Sequence, residues 1–238
     1  MLNPLRIAAF RLPILTLSGV LAVGAGPALA ERPMVVDDAG TLDAGGGKLE
    51  FGWSRDDQTR GWDAAAGFAP IANLELEVGL ARARDGATSP DSLLRGVGVA
   101  AKWVPLQAET GLSAGLKLEH ERARADDRAG SRVTARVSAA SVLASWRFAS
   151  EQVIHANLGR EWVRVSGDTE AANTWGVGFE QPLTESLQLV AEVYGAEETR
   201  PDRQIGLRYE IVEGVQVSGA VGRGSDRNIG NVGIAWEF

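Results

Sequence analysis

One feature constrains this chain more than any other: an alternation with a period of two residues that recurs over most of its length. In "LELEVGLA", Leu74, Leu76, Val78 and Leu80 fall on one face, and Glu75, Glu77, Gly79 and Ala81 on the other. "GLSAGLKLE", "NTWGVGFE" and "RQIGLRYE" repeat the pattern. Successive side chains point to opposite sides only in an extended strand, so the period predicts β structure. From residue 46 onward it marks twelve segments, near 47–55, 60–69, 73–82, 93–104, 110–121, 134–148, 152–164, 173–181, 187–195, 203–211, 214–222 and 228–238. Most come close to the roughly 9 to 11 residues that a tilted strand needs to cross a bilayer, and their number is even.

A soluble β-sandwich also alternates, but it buries its bulky face and turns charge outward. Here one face is Leu, Val, Ile, Trp and Phe, while the other is Gly, Ala and Ser with scattered Glu, Lys and Arg. That asymmetry predicts an all-β fold, an antiparallel transmembrane β-barrel of twelve strands with lipid outside and a polar lumen. Short turns ("PIAN", "ASE", "PLTES", "VEG") are expected to alternate with longer charged connections at 83–91 and 121–132. Trp103, Trp146, Phe148, Phe179, Tyr209, Trp236 and Phe238 gather on the short-turn side as one aromatic girdle. One segment, "SRVTARVSAASVLASWRF", changes parity near Ala139 and Ala140, which leaves room for a bulge and for ten strands in place of twelve.

The first thirty residues carry Arg6 and Arg11 without an acid, a short apolar run and an Ala28-Leu29-Ala30 site. They read as a cleaved signal peptide, too short in its apolar part to span a membrane. Residues 31–46 then form an N-terminal periplasmic segment and 47–238 the outer-membrane barrel. With 24 basic against 31 acidic side chains, the chain is not suited to nucleic acid, and with no cysteine it has neither disulfides nor thiolate chemistry.

The closing "VGIAWEF" places Ile234, Trp236 and Phe238 on one face. It resembles the terminal strand of Gram-negative outer-membrane barrels, which implies that Trp236 and Phe238 serve as the signal read by the barrel assembly machinery. The stretch "RPMVVDDAGTLDAGGGKLEFGW" is similar to the opening of the outer-membrane family named for the meta-pathway of phenol degradation. Arg32, Pro33, Asp37, Asp38, Ala39, Gly46 or Gly47, and Glu50 carry the likeness, with Val36 where threonine is usual. The resemblance implies an outer-membrane protein that admits hydrophobic or aromatic compounds, and it brings no catalytic residue.

No enzyme, cofactor or metal site is expected. His155 and Asn157 share the lumen side of a strand, whereas a membrane phospholipase sets His and Ser together on the lipid side with an orienting third group. The run "RADDRAGSR" reads as a solvated loop rather than a calcium site, and its Arg122, Arg124, Arg128 and Arg132 suit the phosphates of lipopolysaccharide. Strand parity assigns Glu75, Glu77, Lys102, Lys117, Glu119, Glu180, Glu192 and Arg208 to the lumen, where carboxylates predominate. The expected role is passive uptake of small neutral or weakly hydrophobic molecules, with a non-conducting structural or surface-interaction barrel as the alternative. Two lumen pairs are expected from register, Lys102 with Glu75 and Lys48 with Glu237. The apolar "PMVV" run before the first strand has no reason to lie in water, so residues 31–46 are expected to fold into or against the periplasmic mouth and restrict the pore.

Overall fold

The computed structural model describes residues 32–86, 91–126, 132–224 and 227–238. The leader, residues 1–30, lies outside the described residues. Twelve strands are present among those described: β1 (Gly47–Arg55), β2 (Thr59–Ile71), β3 (Leu74–Asp85), β4 (Ser92–Leu106), β5 (Gly111–Asp126), β6 (Arg132–Arg147), β7 (Val153–Val165), β8 (Asp168–Pro182), β9 (Leu187–Ala196), β10 (Asp202–Val212), β11 (Val215–Gly224) and β12 (Arg227–Glu237). Each pairs antiparallel with its chain neighbours, and β1 pairs with β12, which closes the barrel. Closure satisfies the strand backbone internally, the condition for crossing hydrocarbon.

The alternation predicted from sequence sorts the two surfaces. Leu76, Val78, Leu80, Val97, Val99, Leu116 and Leu118 stand exposed on the outer wall, whereas Glu75, Glu77, Lys102 and Lys117 are buried inside. The N-terminal start of β1 and the end of β12 meet at one rim, called here the terminal rim, since Lys48 is registered with Glu237.

Two details differ from the sequence reading. The strands reach further toward the far rim than the alternation placed them: β3 runs to Asp85 and β4 starts at Ser92, while β5 runs to Asp126 and β6 starts at Arg132. Arg122, Arg124 and Arg132 therefore belong to strands, and Arg128 lies outside the described residues. The parity change in β6 is not a bulge. Its register with β5 is unbroken from Gly111↔Arg147 to Asp126↔Arg132, so Val133, Ala135 and Val137 point inward. An apolar cluster of Ala135, Val137 and Val163, with Ala123 and Val165 against it, lines this part of the inner wall. The aromatic residues named from sequence keep to the terminal-rim side, and a second group stands opposite: Trp53, Trp62 and Trp162 lie on the outer wall toward the far rim, with Phe51 stacked on Trp62 at 6.1 Å.

Candidate functional site

Residues 32–42 lie in the lumen, and residues 43–46 run along the terminal rim to the start of β1. Inward-facing side chains of the strands hold the lumen stretch at nearly every step. Arg32 pairs with Asp63 and lies 3.7 Å from Glu50, while Arg208 Nε donates to its carbonyl at 2.9 Å. The Pro33 carbonyl accepts from Gln204 Nε2 at 2.8 Å. The amides of Val35 and Val36 both donate to the Glu192 carboxylate, at 2.9 and 2.7 Å. Asp37 meets Lys117 at 2.8 Å and Asp38 meets Lys102 at 2.9 Å. The Ala39 amide donates to Ser145 Oγ at 2.7 Å, and Leu42 to Glu75 at 3.1 Å.

Apolar packing follows the same path. Met34 and Val36 are buried against Val190 and Tyr194, and Ala39 packs on Val104 and Leu143. Two glycines of β8 make this possible. A Cβ at Gly176 would stand 2.7 Å from Val36 Cγ2, and one at Gly178 would collide with Met34 Cε. Such mid-strand glycines mark a close approach of another chain segment. Pro33, Met34 and Val36 of the "PMVV" run are thus covered by the lumen wall, while Val35 stays exposed.

The lumen residues assigned by parity are all inward, and the structure divides them into groups. Lys117 bridges Asp37 and Glu119, the latter at 3.0 Å. Glu75 lies 3.6 Å from Lys48, and Glu77 is buried nearby. Glu180 receives Arg208 Nη1 at 3.0 Å and Gln188 Nε2 at 2.9 Å. Glu192 accepts from the two segment amides and also from Gln204 Nε2. The register of Glu75 with Lys102 is as expected. The ion pair is not: Lys102 turns to Asp38, because the inserted segment brings a closer carboxylate than the strand neighbour. Burial by itself would raise the Asp38 carboxyl, but the charge and hydrogen bond of Lys102 outweigh it and hold the group below the usual aspartate range.

Sequence parity did not reveal the clamp on Ala39. Ser145 Oγ lies 2.8 Å from His155 Nδ1, and His155 Nε2 lies 3.6 Å from Glu180. A Ser, a His and a carboxylate in series have the order of a nucleophilic relay. Here the serine oxygen is occupied by the Ala39 amide, and Glu180 is shared with Arg208, so the series fixes the segment. A cavity of about 410 Å³ opens beside it at the terminal rim, between Asp38–Ala44 and the wall. Asp37 and Asp38 were read as part of a family resemblance, and no strand rule could have given them lysine partners.

At the seam, Phe238 and Gly47 exchange backbone hydrogen bonds of 2.9 and 2.7 Å, and Trp236 packs on Phe238 at 4.7 Å between ring centroids. At the far rim, Arg227 of β12 joins Asp202 of β10 at 2.6 Å and Asp56, from the β1–β2 turn, at 3.1 Å.

A family model described as Uncharacterised conserved protein UCP029691 matches residues 19–234. No curated protein matches the chain. Among solved structures, the KdgM porin in complex with disordered oligogalacturonate aligns with a TM-score of 0.64 at 11% identity, covering 80% of this chain and 99% of that one. The translocator domain of the autotransporter NalP from Neisseria meningitidis gives 0.61 at 12% identity, with 94% and 96% covered. An outer-membrane channel from Pseudomonas putida F1 gives 0.61 at 8% identity, with 84% and 98% covered. At these identities the likeness is one of fold, and it is the outer-membrane β-barrel. The matching family is not the one named for phenol degradation, and what stands of that resemblance is the barrel. The chain belongs to the family described as Uncharacterised conserved protein UCP029691 and has the fold of bacterial outer-membrane barrels.

Proposed function

We propose that this barrel is an outer-membrane channel for passive uptake of small neutral or weakly hydrophobic molecules, aromatic compounds among them, and that residues 32–44 gate it. The observation that carries the reading is the apolar inner wall of Ala135, Val137 and Val163 on the far-rim side of the inserted segment. A pore for ions or sugars has no use for such a patch, since a polar lumen is the rule in barrels that pass water. An apolar solute would gain by resting there. The surplus of buried carboxylates, Glu75, Glu77, Glu180 and Glu192, opposes acidic solutes such as the oligogalacturonate bound to KdgM. On this reading the assembly machinery recognises Trp236 and Phe238, and lipopolysaccharide surrounds the outer rim.

One observation favours a second reading. The segment is so fully paired inside the lumen that a permanently closed, structural barrel would look the same. Planar-bilayer conductance and liposome uptake of a small phenol separate the two. The gated channel requires the barrel lacking residues 32–44 to conduct and to admit the phenol faster than the full chain. A trimmed barrel that folds and remains tight would leave the structural role.

A further inference from the structure

The outer wall toward the far rim carries arginines in direct cross-strand register: Arg55 faces Arg60, Arg82 faces Arg95, Arg122 faces Arg136, and Arg203 faces Arg223. Like charges placed directly opposite one another on a sheet destabilise it. On a lipid-facing wall, arginine costs about 2–4 kcal/mol at the bilayer midplane but about 0–1 kcal/mol near the interface. The collar therefore marks the headgroup level, and Trp53 and Trp62 next to Arg55 and Arg60 mark the interface just beneath it.

The Arg203–Arg223 pair differs from the rest in what lies below it. Both side chains are exposed, and among the described residues neither has a carboxylate partner. Under them the outer wall sinks into a concavity of about 630 Å³. Its floor is Ala191, flanked by Phe179 and Ile205, with Val177, Val193 and Val221 on the apolar lining around them. Two unpaired guanidiniums above an apolar trough are complementary to one kind of molecule, an amphiphile with phosphate at its head and acyl chains below. Guanidinium binds phosphate with paired, charge-assisted hydrogen bonds, and an anion between Arg203 and Arg223 cancels their repulsion.

We propose that this trough is a specific site for one phosphorylated glycolipid of the outer leaflet, the lipid A part of lipopolysaccharide, with a phosphate between Arg203 and Arg223 and an acyl chain over Ala191. An even number of strands returns both termini to one side, and a chain inserted from the periplasm keeps them there, so the arginine rim faces outward. The proposal rests on membrane insertion and is independent of flux or gating.

The test uses the full chain in phosphatidylcholine nanodiscs that contain equal mole fractions of bis-phosphorylated lipid A or of its dephosphorylated form, with retained lipid counted by native mass spectrometry. The barrel should keep one phosphorylated lipid, with roughly a tenfold preference over the dephosphorylated form. The R203Q/R223Q double variant should lose that preference. Ala191→Trp, which fills the trough and leaves both arginines, should lose the retained lipid as well. Equal retention of the two lipids by the native chain would overturn the site. So would undiminished retention by either variant in a barrel of normal heat-modifiable mobility.

Discussion

Asp37 and Lys117 stand 80 positions apart in the chain and meet at 2.8 Å, with the lysine fully withdrawn from solvent. Removing one partner of such a pair leaves an uncompensated charge, which costs about 3–5 kcal/mol, whereas removing both is far milder. Lys117→Met should therefore lower the urea midpoint of unfolding followed by tryptophan fluorescence. Adding Asp37→Asn should recover much of the loss. Glu119 limits that recovery, because it also lies on Lys117.

Gly178 gives Met34 its space, so a larger side chain there should expel the segment while the barrel persists. Gly178→Leu is expected to keep heat-modifiable mobility, expose residues 32–44 to protease and raise conductance. Gly230→Leu is the control, because a Cβ there meets nothing within 4 Å. If protease sensitivity rose equally in both, displacement of Met34 would not be the cause.

The response to acid follows from Asp38. Its pKa in the folded chain is depressed by Lys102, so its contribution is complete above the ordinary aspartate value of about 3.9 and is lost as pH falls through the lower folded value. Conductance and protease protection of the segment should thus be flat from pH 8 to about 5 with respect to this pair, with release confined to stronger acid. Asp38→Asn should remove the acid limb of that profile. An unchanged profile in the variant would place the acid response elsewhere.

Phe238 makes two separable contributions, a backbone pair with Gly47 and a ring against Trp236. Deleting the residue should slow refolding in detergent, since it removes seam hydrogen bonds. Phe238→Ala keeps those bonds, so refolding should proceed at the native rate while outer-membrane levels in cells fall. Normal cellular levels of the alanine variant would refute the role of the ring as an assembly signal.

Strand number and facing were legible because water inside and lipid outside impose opposite chemistry on alternate residues, as Leu76 beside Glu77 illustrates. That logic misleads where the interior is itself apolar. Val133, Ala135 and Val137 point inward, so β6 looked as though it had slipped by one residue when it had not. Register likewise gives backbone neighbours, not side-chain partners. Lys102 stands opposite Glu75, yet a third body supplies Asp38, and no two-strand pattern contains that third body. The arginine collar was hidden for another reason: Arg55, Arg60, Arg82, Arg95, Arg136 and Arg203 fall inside segments that read as strands, but which of them stand opposite one another depends on register between strands, which alternation within one strand does not give.

The inserted segment also sets an order of events during biogenesis. Residues 32–39 are made before any strand, but the groups that hold them are spread along the rest of the chain. Lys102 and Lys117 lie on β4 and β5, Ser145 on β6, Glu192 on β9, and Gln204 and Arg208 on β10. Contacts separated by 156 and 176 positions cannot form until β9 and β10 exist and have curled back toward β1. A stretch synthesised before every strand is consequently among the last to find its place, and its seating coincides with completion of the ring.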